Sequence, residues 1–170
     1  MAKAETKKAS TGEDAELRKQ LAALLDGGQA HAKFDDAVAD FPVELRGVVP
    51  EKLPYSAWQI LEHIRIAQRD ILNFSAPPTG GYHGLKWPEE YWPKETKPES
   101  PAAWDSSVDA VHSDLEKFKA LIARPQADLA RPFLWGKGQN LLREALLIAD
   151  HTSYHVGELI VVRRLLGAWR

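Results

Sequence analysis

Residues 141–167 read LLREALLIADHTSYHVGELIVVRRLLG, and this stretch decides the fold. Leu141, Ala145, Ile148, Thr152, Leu159, Val162 and Leu166 recur at steps of three and four, the spacing of one face of an α-helix. Asn140 belongs to the residue types that cap helix N-termini. Arg163 and Arg164 in the last turn, complementing the helix C-terminus, and Gly167 just beyond, form the ending expected of a long helix. On the same helix Ile148, His151, His155, Glu158, Val162 and Leu165 make a row, so two imidazoles take positions otherwise held by core side chains. A four-residue step stacks them one above the other, where both could grip one metal ion.

Moving toward the N-terminus, Ser100-Pro101 supplies a cap and a first-turn proline for a helix carrying Trp104, Val108, Val111, Leu115, Phe118 and Ile122, ending near Ala123. Ser56 is the expected cap of another, whose stripe is Ile60, Leu61, Ile64, Ala67, Ile71 and Phe74. His63 lies between Ile60 and Ala67 and so also points inward. Leu17, Leu21, Leu24 and Leu25, resumed by Val38 and Phe41, predict a first helix from about Asp14 to Asp40, bent at Gly27-Gly28. No stretch alternates as a strand does. The expected fold is all-α, a four-helix bundle spanning residues 14–170 behind a loose, Lys-rich tail of residues 1–13.

The connection Ser75–Glu99, SAPPTGGYHGLKWPEEYWPKETKPE, is too long and too rich in Pro and Gly for an ordinary helix link. It carries Tyr82, Trp87, Tyr91 and Trp92. Rings of that size are costly to leave in water, so the segment is expected to fold back on the body, as a lid over a site or as plain packing.

Composition narrows the chemistry. Among 170 residues, 22 Lys+Arg stand against 24 Asp+Glu for a net charge of -2, which leaves no positive field for nucleic acid. Cys is absent, so disulfides, thiolate zinc sites and an intrinsic thiol nucleophile are excluded. No apolar run approaches the roughly 20 residues of a membrane span, and the N-terminus lacks the apolar middle of a secretion signal, so the expected location is the cytoplasm. What remains is the histidines. Three inward neutral imidazoles are expensive to bury unless each finds a hydrogen bond or a metal, and one ion satisfies all three.

The segments WQILEHIRIAQRDI with His63, GKGQN at residues 136–140, and ADHTSYHVGELIVVRRLLG with His151 and His155 resemble the DinB-like superfamily, the YfiT-type metalloenzymes, from about Asp14 to Gly167. The resemblance implies a four-helix bundle holding one metal ion through a His of the second helix and an H-x-x-x-H pair on the fourth. These positions are His63, His151 and His155. It further implies transfer of low-molecular-weight thiols, thiol-dependent isomerisation or hydrolysis, and frequent homodimers, for which exposed apolar positions on the first or third helix would serve.

Three His ligands would leave a coordination position open for an external thiol or water, the arrangement of catalytic rather than structural sites. Imidazole suits several divalent metals, zinc or nickel first, iron or manganese next. Glu158, one turn after His155, is the candidate to orient a ligand or accept a proton. Tyr154 is expected to point elsewhere on the helix. Trp58, His83, Trp87, Tyr91 and Trp92 are candidates for lining a small-molecule pocket, with core packing the competing role of the aromatics. His31 and His112 flank apolar stripes and receive no task. The rival to an enzyme is a noncatalytic, metal-stabilised bundle that binds a ligand or a protein; a plain helical module would need the three histidines to be coincidental.

Overall fold

Ser56, Ser100 and Asn140 each begin a long helix, as their residue types predict. In the computed structural model, which describes residues 11–169, the helices are α1 (Thr11–Asp26), α2 (Phe34–Val38), α3 (Ala57–Ser75), α4 (Pro101–Ile122) and α5 (Leu141–Leu165), with a single 3-10 turn at Val43–Leu45. The Ser56 hydroxyl accepts from the Gln59 amide while the Gln59 side chain reaches back to the Ser56 amide, a reciprocal cap. Ser100 caps α4 through the Ala103 amide with Pro101 in the first turn, and Asn140 caps α5 through the Arg143 amide. Among the described residues there is no strand, so the fold is all-α.

The expected first helix is corrected. Gly27 and Gly28 take φ of 68° and 75°, left-handed values that stop a right-handed helix rather than bend it. The chain turns away and resumes as the five-residue α2. Of the expected tail, residues 1–10 lie outside the described residues, and Thr11–Glu13 already belong to α1.

α3 packs against α4 and α5, α1 packs against α4 and α5 as well, and α2 packs against α5. One core cluster joins Phe41, Ile60, Leu61, Ile64, Trp104, Val111, Leu159 and Val162. A second joins Leu21, Leu25, Leu72, Phe118, Ile122, Ala145 and Ile148. Because Ile60 shares a cluster with Val162, and Leu72 with Ala145, α3 and α5 run antiparallel. That register sets His63 opposite His151 and His155. Leu165, expected in the inward row, stands 59% exposed. α3 begins six residues before His63 whereas α5 continues ten past His155, and the end of α5 is met by α2 instead, on a side that leaves Leu165 uncovered.

Arg163 also departs from expectation. Its Nη1 donates to the carbonyls of Ala39 at 2.7 Å, Ala37 at 3.0 Å and Asp36 at 3.3 Å, and Nε donates to Ala168 at 3.0 Å. The guanidinium lies 5.1 Å from the Phe41 ring centroid. The cation therefore serves mainly the carbonyls ending α2, a helix too short to hold itself together. Arg163→Met leaves those carbonyls without a donor and should lower stability by about 2–3 kcal/mol. That corresponds to roughly 5–10 °C in Tm for a chain of this size, measured by thermal unfolding against Arg164→Met, which should change it little.

Candidate metal centre

His63 comes from the first half of α3, His151 and His155 from the middle of α5. One nitrogen of each ring lies within 4.8 Å of the others, so the group could hold a metal ion. The ring centroids stand 4.9 Å (His63 to His151), 4.6 Å (His63 to His155) and 4.4 Å (His151 to His155) apart. His63 and His155 are buried and His151 is half-buried.

The outward nitrogens decide which atoms face the centre. Nδ1 of His63 lies 2.8 Å from the Tyr91 carbonyl oxygen, and a carbonyl can only accept, so Nδ1 carries the proton and Nε2 presents a lone pair. Nε2 of His151 lies 3.1 Å from it. Nδ1 of His155 lies 2.7 Å from Oε2 of Glu158 and donates to it, leaving the Nε2 of His155 basic. Two of three rings are thus turned by a partner on the side away from the cluster, the arrangement that fixes tautomer and orientation in metal-ligating imidazoles.

Electrostatics keep the rings uncharged. Burial pushes the His151 imidazole down to about 4, helped by its two neighbouring rings. Burial does the same to His155, also to about 4, and lowers His63 against the opposing pull of the Tyr91 carbonyl and the Glu158 charge. The contact of His155 with Glu158 is therefore a neutral ring donating to a carboxylate. Burial raises the Glu158 carboxyl, opposed by the Tyr154 hydroxyl and His63. Neutral imidazoles that bring one nitrogen each within 4.8 Å of the others are a donor set that suits a divalent cation.

The 75–99 connection supplies part of this site. Trp92 lies flat on His63, centroids 3.9 Å apart and planes within 4°, and Tyr55 stacks on Trp92 at 3.9 Å. The connection is tied to α3 by one carboxylate: Asp70 accepts from the Tyr82 hydroxyl at 3.0 Å and from the Tyr91 hydroxyl at 2.7 Å. Burial and that carboxylate push the Tyr82 phenol up to about 12 and raise Tyr91 as well, so both remain donors. Asp70 follows His63 by two helical turns on the same face, and the clasp at one end presents the Tyr91 carbonyl at the other.

The remaining candidates separate. Trp87 is 70% exposed, with its ring 6.5 Å from His63. His83 is exposed on the same connection. Trp58 is buried in the core with Ala57 and Leu61 and borders a different cleft, beside Glu62 and Ser107. Tyr154, expected to point elsewhere, sets its ring edge-on to His155 at 4.9 Å and its hydroxyl on Glu158. The four-residue step from Tyr154 to Glu158 carried that signal. Tyr55 and Asp70 were not anticipated; the seven-residue step from His63 to Asp70 on one face was the clue to the second.

A family model described as the DinB superfamily matches residues 28–159, a span that holds all three histidines and Glu158. Comparison with curated proteins and with solved structures gives no match.

Asp70→Ala removes the acceptor of two hydroxyls and should loosen the connection. Trypsin is then expected to cut after the exposed Lys86 at least about tenfold faster than in the unaltered chain, since each hydrogen bond to a charged group is worth roughly 1.5–3 kcal/mol. Equal cleavage rates would show that the clasp does not hold the segment.

Proposed function

The chain belongs to the DinB superfamily, and on that premise we propose that His63, His151 and His155 hold one divalent ion, zinc or nickel before iron or manganese, in an enzyme that transfers a low-molecular-weight thiol or hydrolyses a small molecule. The observation that carries this reading is the convergence of one nitrogen from each ring within 4.8 Å, with two of the rings turned by the Tyr91 carbonyl and Glu158. When bound, an ion held by three neutral ligands keeps its full charge and acidifies a thiol or water at its open position.

The chain's own groups supply the rest. With no Cys in the sequence, a thiol enters as cosubstrate. Glu158, half-buried on the outer side of His155, accepts from its Nδ1 and holds the ring in register with its other nitrogen toward the cluster. In the transfer reaction the sulfur bonds to an electrophilic carbon, and the group displaced leaves with the thiol's proton. Trp87, exposed beside His63, offers a ring against which the substrate can lie.

Protein purified without a His tag should contain about one divalent ion per chain by elemental analysis, and His155→Ala should lose it. Glu158→Gln should keep the ion but bind it about 10–100-fold more weakly, because the neutral amide orients His155 less firmly. The metal-loaded chain is then incubated with a panel of thiols and electrophiles, and conjugate is the expected product. Ester or amide cleavage in place of conjugation assigns hydrolysis. Metal without either activity assigns a metal-stabilised binding protein, and absence of metal overturns the reading.

A further inference from the structure

α5 carries a glycine, Gly157, in its middle, directly before Glu158. Glycine there costs roughly 0.5–1 kcal/mol against alanine, yet no close approach of another element calls for it. A Cβ at Gly157 would meet no atom within 4 Å. The space beside it belongs to a cavity of about 350 Å³ whose walls include Leu53, Ile60, Val161 and Val162. That volume lies within the range of small-molecule sites, about 300–1,000 Å³.

Two walls of the cavity lead to the imidazoles. Glu158, the one charged residue among those lining it, is bonded to His155. Tyr55, another wall, stacks on the Trp92 that lies on His63. An apolar chamber with a carboxylate at its inner side and no cation in its lining favours a guest with a hydrocarbon body and a donating or cationic end, and disfavours an anion.

We propose that this cavity seats an alkyl or aryl segment of the small molecule handled at the imidazole cluster, with a hydrogen-bond-donating end of that molecule meeting Glu158. Gly157 keeps the chamber open. The assignment rests on the small-molecule site proposed above, and its test reads the chamber separately from the metal.

The full chain is titrated with 1-hexylamine, 1-hexanol and hexanoate while amide resonances are followed by NMR, and zinc content is measured in parallel. Hexylamine and hexanol should shift the amides of Gly157 and Val161 and the ring signals of His155, and hexanoate should bind at least tenfold more weakly. Shortening the amine from hexyl to butyl should weaken binding about fourfold per methylene. Gly157→Leu and, from a different wall, Val161→Trp should abolish amine binding while zinc content stays at the level of the unaltered chain; Gly157→Ala should retain both. Amine binding that survives both filling variants, or hexanoate binding as well as hexylamine, overturns the proposal and leaves the metal reading intact. A chain that takes no zinc but binds hexylamine as described removes the metal reading, and with it the link between chamber and cluster. Shifts confined to the cavity amides, with His155 unmoved, also overturn the link.

Discussion

A buried neutral imidazole has one nitrogen that must donate and one that must accept, and three such rings side by side leave six nitrogens to satisfy in a space that water reaches poorly. The fold answers by giving the outward nitrogens of His63 and His155 strong acceptors, a carbonyl and a carboxylate. Their other nitrogens are then left basic and facing inward. The concentration of lone pairs at the centre follows from what lies behind the rings as much as from the rings themselves.

This gives the 75–99 connection a role beyond cover. Its Tyr91 carbonyl sets the proton of His63, and its Trp92 restrains the same ring from the flat side. Asp70 on α3 secures it through two hydroxyls, so one helix both carries the imidazole and anchors the segment that orients it. Loosening the clasp would alter the centre without touching a histidine.

The same economy of position appears along α5. His151 and His155 face α3, Tyr154 and Glu158 close over the outer side of His155, and Gly157 leaves room beside them. Six residues farther on, Arg163 gathers the carbonyls that end α2, holding the short helix that a pair of left-handed glycines separates from α1.

Much of this was legible in the order of residues. The caps at Ser56, Ser100 and Asn140, the apolar stripes and the inward placing of His63, His151 and His155 follow from spacing and residue type, because helix periodicity and capping are local properties. The break at Gly27-Gly28 was visible as a weak point, but whether it bends or ends a helix depends on where the chain goes next. Leu165 kept the right period and still faces water, since periodicity says nothing of which side of the last turn a neighbouring helix covers. The sequence by itself determined four amphipathic rods and put histidines on two of them. Only the tertiary structure decided that residues 88 positions apart would meet at 3.1 Å, and that a carbonyl 28 residues beyond His63 would choose its tautomer. Such partners are set by the path of the chain through space, which no local pattern of side chains contains.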